Sequence, residues 1–64
     1  MEKWYSIELE KKYNDLFEKG LKLNNVYFEK SCINDNLFHY ELCMSEYKVN
    51  AINDLLDLIY HLEG

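Results

Sequence analysis

Apolar residues recur along this chain with two different periods, and the period changes at the asparagines. From Ser6 to Lys19, the residues Leu9, Tyr13, Leu16 and Phe17 fall on one face at three- and four-residue spacing, which is the period of an amphipathic helix. Ser6 suits an N-cap, Glu8 and Glu10 stand in the first turns, Lys19 lies in the last turn, and Gly20 suits a left-handed stop. The spacing therefore predicts a helix over about 6–19. A competing pattern overlaps its start, because Tyr5, Ile7 and Leu9 also alternate as a strand over 4–9 would. The capping signals favour the helix.

Past the turn signal Asn24-Asn25 the period becomes two. Val26, Phe28 and Cys32 alternate with Tyr27, Glu29 and Ser31, and after Asn34-Asp35-Asn36 the residues Phe38, Tyr40, Leu42 and Met44 alternate with His39, Glu41, Cys43 and Ser45. Two alternating runs around an Asn/Asp turn predict a hairpin, with strands over about 26–33 and 37–44. One face of it is apolar and the other mostly polar. From about Glu46 to Leu62 the helical period returns. Val49, Ile52, Leu56, Ile59 and Leu62 form its stripe, widened by Leu55 and Leu58, with Asn50, Asn53, Asp54, Asp57 and His61 opposite and Ser45 as a cap.

The expected fold is thus α+β, one small domain of residues 1–64 in the order helix, β-hairpin, helix. An all-α dimer is the alternative, because Leu37, Tyr40, Met44, Tyr47, Ala51, Leu55, Leu58 and Leu62 also keep three-four spacing without a break. Against it stand the even alternation and the poor helix formers Phe38-His39-Tyr40; in its favour, Val26 and Ile33 are the only β-branched residues of the hairpin.

Composition adds a size problem. A chain of 64 residues buries only about 60% of the surface it exposes when unfolded. Yet it carries ten aromatics, Trp4, Tyr5, Tyr13, Phe17, Tyr27, Phe28, Phe38, Tyr40, Tyr47 and Tyr60, each able to bury roughly 150–250 Å². A homodimer or a protein partner is the economical use for the surplus. The N-terminal residues lack the apolar run of a signal peptide, and no stretch approaches a membrane span. A cytoplasmic protein with reduced thiols is expected. Frequent Asn, Lys, Ile and Tyr, with no Arg, Thr, Gln or Pro, suggest an AT-rich bacterial or phage genome.

Charge is distributed unevenly along the chain. Residues 1–24 balance Glu2, Glu8, Glu10, Asp15 and Glu18 against Lys3, Lys11, Lys12, Lys19 and Lys22, whereas the remainder sets seven acids against Lys30 and Lys48. The net charge of −5 therefore belongs to the second part. Such a field repels phosphate backbones and favours basic partners, which argues against direct nucleic-acid binding.

Catalytic signals are weak. Cys32, His39, Cys43 and His61 are four possible zinc ligands, but their spacing matches no common zinc module, and the hairpin points Cys32 away from His39 and Cys43. His39 and Cys43 share a face, yet nothing identifies an oxyanion hole. Asp57 and His61, one helical turn apart, read as a surface pair. Gly20 and Gly64 are the only glycines, so no phosphate loop exists. No enzyme, metal or cofactor is expected.

Acidic positions support a sharper expectation. Glu29 and Glu41 project from the polar face of the hairpin, Asp35 sits at its tip, and Glu46, Asp54 and Asp57 line the last helix, with Tyr27 and Tyr47 as aromatic anchors. Carboxylates so spaced can stand in for phosphates on a basic channel. The expected function is a non-enzymatic protein-binding module, a small acidic inhibitor from a phage or mobile element that blocks a basic surface of a nucleic-acid-handling protein. The alternative is an assembly subunit that homo-oligomerises through its aromatic face.

Overall fold

The computed structural model describes residues 1–63. The chain runs through strand β1 (Glu2–Glu10), a 3₁₀ turn (Lys11–Tyr13), helix α1 (Asn14–Leu23), strand β2 (Tyr27–Cys32), strand β3 (Leu37–Ser45) and helix α2 (Glu46–Glu63). The three strands form one antiparallel sheet in the order β1-β3-β2, and the two helices cover one of its faces. The α+β expectation holds, with its hairpin and second helix; the all-α alternative does not.

The first element is corrected. Residues 2–10 form a strand, so the helix expected over 6–19 starts at Asn14 and the order is β-α-β-β-α. Leu9 belongs to both competing patterns and is buried in either, so local periodicity did not separate them. Tertiary pairing decides: β1 matches β3 residue for residue from Glu2↔Ser45 to Glu10↔Leu37, giving the central strand a ladder on both sides. Ser6 is therefore no helix cap. Its hydroxyl donates to Glu41 Oε2 at 2.9 Å across the sheet.

With β1 and β2 flanking β3 and both antiparallel to it, they run parallel to each other, and parallel strands need a crossover longer than a tight turn. Helix α1 is that crossover. Gly20 does not stop it; the helix continues to Leu23, and Gly20 is where α2 comes closest. A Cβ built on Gly20 would lie 2.3 Å from Leu55 Cδ2. The turn into β2 falls at Asn24-Asn25, where Asn25 adopts φ 56°, a left-handed conformation that asparagine tolerates. At the hairpin tip Asn34 Oδ1 accepts from the backbone N–H of Asn36 at 2.8 Å and of Leu37 at 3.1 Å, the side-chain mimicry of a turn that makes Asn frequent there.

Between sheet and helices lies the core of Leu9, Tyr13, Phe17, Leu21, Val26, Tyr40, Leu42, Met44, Ile52 and Ile59. Tyr40 is its centre, fully buried, with Phe17, Phe28 and Phe38 around it at 5.1, 5.9 and 6.2 Å between centroids. Its hydroxyl donates to Glu18 Oε2 at 2.8 Å, the same oxygen that accepts from Lys30 Nζ at 2.8 Å. A buried phenol so placed satisfies its polar end at the edge of the core. Three rings are buried and Tyr5, Phe28 and Phe38 pack against them, whereas Trp4, Tyr27, Tyr47 and Tyr60 stay exposed. One small core therefore absorbs most of the aromatic surplus.

Candidate acidic sheet face

Register decides which side chains share the uncovered face of the sheet. Opposed residues in an antiparallel ladder point the same way, so Tyr40, Leu42 and Met44 face the helices while Leu37, His39, Glu41, Cys43 and Ser45 face outward. Through their partners on β1 they bring Glu10, Glu8, Ser6, Trp4 and Glu2 to that face. Through their partners on β2, Ser31, Glu29 and Tyr27 join them. The face therefore carries five carboxylates, Glu2, Glu8, Glu10, Glu29 and Glu41, and no lysine.

At one end Trp4 and Tyr27 lie across Cys43, their rings edge-to-face at 6.0 Å and 83°. Both remain largely in solvent, at 54% and 60% exposure. In the middle, Glu41 is flanked by Ser6 and Glu29. It accepts from His39 Nε2 at 2.8 Å and from the Ser6 hydroxyl, and these bonds, His39 first, hold its carboxyl below the usual value. Glu41 thus stays ionised beside its neighbour Glu29. Tyr27 Oη donates to Glu29 Oε2 at 3.2 Å, and this bond to an anion raises the phenol's pKa. The Cys43 thiol donates to Glu2 Oε1 at 3.7 Å. Partial burial, then the Glu2 charge, push its pKa up, which favours the thiol over the nucleophilic thiolate.

Of the residues singled out from the sequence, the fold gathers Tyr27, Glu29 and Glu41 on this face. It leaves the others elsewhere. Asp35 stands at the hairpin tip, and Glu46 opens α2, where it accepts from Lys3 Nζ at 3.1 Å. Tyr47, Asp54 and Asp57 are exposed along α2, on the other side of the molecule. Glu2, Trp4, Glu8 and Glu10 were missed as site residues because a helix over 6–19 scatters Glu8 and Glu10 around its circumference, whereas a strand aligns them. The alternation of Tyr5, Ile7 and Leu9 was the signal that could have found them.

Cys32 pairs with Phe38 and so lies on the face opposite His39 and Cys43. Its thiol donates to the Asn34 carbonyl at 3.2 Å. Among the described residues no group of three His, Cys, Asp or Glu side chains is placed to hold a metal ion. Nor, among the described residues, is any helix long and apolar enough to cross a membrane. No family model matches the chain, and comparison with curated proteins and with solved structures returned no match.

Proposed function

We propose that this chain is a non-enzymatic protein-binding module whose open sheet face docks on a basic surface of another protein. The observation that carries the reading is the composition of that face: five carboxylates and two exposed aromatic rings with no lysine at its strand positions, Glu10 alone having a lysine, Lys12, at 3.8 Å. Carboxylates on alternate residues of a strand stand roughly 7 Å apart along it, and neighbouring strands repeat the row. A groove lined by lysine and arginine to bind phosphates meets complementary charge here, while Trp4 and Tyr27 supply the amphipathic anchors that dominate interface energies. Nucleic acid itself is repelled by the same field. The target class is therefore a nucleic-acid-handling protein. Small size and the residue usage of an AT-rich genome support an inhibitor of phage or mobile-element origin.

Charge reversal on the sheet tests this. Tagged wild-type protein and the variant Glu8→Lys/Glu29→Lys/Glu41→Lys are used to capture partners from nuclease-treated bacterial lysate. The expected result is one basic, nucleic-acid-handling protein retained by the wild type, lost from the variant and displaced by added duplex DNA. Equal retention by the reversed variant, or a retained partner indifferent to nucleic acid, rejects the reading.

A further inference from the structure

The outward side of the helical layer carries a second apolar surface that the core does not use. On α2 the residues Tyr47, Ala51, Leu55, Leu58 and Leu62 recur at three- and four-residue spacing, beside the buried Ile52 and Ile59. Tyr47, Leu58 and Leu62 are 77%, 55% and 67% exposed, and on α1 Leu23 is 85% exposed with Leu16 also in solvent. Gly20 and Leu55 mark the line where the two helices touch. At about 100° per residue, Leu16 and Leu23 lie on one flank of Gly20, while Phe17 and Leu21 lie on the other, toward the core. Ala51 and Leu58 flank Leu55 in the same way, opposite Ile52 and Ile59. The two exposed flanks therefore meet along the α1–α2 seam, facing away from the sheet.

The rims of this strip have opposite signs. Lys19 and Lys22 edge it along α1, where the exposed Asp15 between them leaves the rim net positive, and Asp54 and Asp57 edge it along α2. Both lysines and both α2 aspartates are exposed, and among the described residues none takes part in a salt bridge. The helices run antiparallel, as the Tyr13–Tyr60 ring contact at 5.1 Å across their ends requires. A two-fold axis along the seam would set α1 of one copy against α2 of another, so each lysine rim meets an aspartate rim over stacked apolar strips. Such an isologous surface is self-complementary, whereas a partner of one charge sign would be repelled by one rim.

We infer that the helical face is the homodimer interface of this protein, closing four helices between two sheets and turning both acidic sheet faces outward. The molecule measures 34 × 24 × 15 Å, so a face spanning its two larger dimensions is of the size needed for the roughly 800 Å² per partner of a specific interface. The helical face can pair in this way whatever the sheet face binds.

Sedimentation equilibrium over a concentration series tests it with the wild type, Lys19→Asp/Lys22→Asp, Asp54→Lys/Asp57→Lys, and an equimolar mixture of the two variants, each checked for fold by circular dichroism. The wild type is expected at twice the 7.8 kDa chain mass. Each variant alone opposes like charges across the axis and should dissociate about tenfold more readily or worse. The mixture restores opposite rims and should return to within about threefold of wild-type affinity. Leu58→Lys, which alters the strip without altering the rims, should also give monomer. A wild type that stays monomeric at about 100 μM, where even weak specific dimers form, overturns the inference. So does a dimer indifferent to the rim changes, or a mixture that fails to associate. Glu8→Lys/Glu29→Lys/Glu41→Lys should leave the dimer mass unchanged, which keeps the failure of either proposal distinguishable from the other.

Discussion

Replacing Tyr40 by phenylalanine isolates one hydrogen bond at the centre of the fold. The ring stays, so the packing with Phe17, Phe28 and Phe38 is kept, and only the hydroxyl that donates to Glu18 at 2.8 Å is lost. A hydrogen bond to a charged group contributes roughly 1.5–3 kcal/mol. Glu18 keeps Lys30 at 2.8 Å, and its side chain is 20% exposed, so water recovers part of the loss. The expected cost falls at the low end, about 1–1.5 kcal/mol, which for a chain of this size lowers the melting temperature by about 4–8 °C per kcal/mol.

The same bond predicts a pH dependence. Burial pushes the Glu18 carboxyl up, but the hydrogen bonds from Lys30 and Tyr40 outweigh it and hold the group below its ordinary value of 4.5. A carboxylate with a depressed pKa in the folded state contributes stability that is complete above the unfolded value and is lost as pH falls through the folded one. Without Tyr40's hydroxyl the folded pKa moves back up and less stability remains to be lost. The gap between wild type and Tyr40→Phe should therefore be widest near neutrality and shrink below about pH 4.5. Burial, then Glu18, push Tyr40's own pKa far above the tyrosine range, so its ionisation does not enter. The assay is urea unfolding followed by far-ultraviolet circular dichroism near pH 7 and pH 3.5, at a single protein concentration because self-association of the kind proposed above would shift the midpoint. A Glu18→Gln cycle measures the coupling. A cost under about 0.5 kcal/mol, the range of an uninvolved surface site, or a gap that does not narrow in acid, would show that the Tyr40–Glu18 bond does not stabilise the fold.

Two further outcomes follow from the packing and the register. Gly20→Ala gains about 1 kcal/mol of helix propensity, but its methyl meets Leu55 Cδ2 at 2.3 Å and Cδ1 at 2.7 Å. Such overpacking typically costs about 1–3 kcal/mol. The substitution should therefore destabilise the wild type, yet stabilise a Leu55→Ala background by about 1 kcal/mol; urea midpoints that move the same way in both backgrounds contradict the contact. Trp4 stands among the carboxylates of the sheet face, so at low ionic strength, with each quencher normalised to free tryptophan, its fluorescence should be quenched more by caesium than by iodide. That preference should weaken in Glu8→Lys/Glu29→Lys/Glu41→Lys, and equal quenching by both ions in the wild type would place Trp4 outside an acidic field.

Much of the fold was legible in local periodicity. The alternation from Phe38 to Met44, the asparagine turns on either side of β2 and the apolar stripe of α2 are each written within one element, and each element forms where its period changes. These features depend on a side chain's own neighbours, which the sequence contains. The unbroken three-four spacing from Tyr47 to Leu62 was also visible. It marked no continuous helix from Leu37; its latter part is the exposed strip on α2.

Tertiary structure alone decided the state of residues 2–13, because Leu9 satisfies both a strand and a helical stripe and only the ladder with β3 separates them. That decision moved Glu8 and Glu10 from a helix circumference to one sheet face, and set Trp4 across Cys43 from Tyr27. It also turned Gly20 from an expected helix stop into a packing site, since the methyl-free position is needed by Leu55, which lies 35 residues further along the chain. Charge content was fixed by composition from the outset. Its gathering into five carboxylates on one uncovered surface required the register of three strands, and a register is a relation between distant segments that no local period encodes.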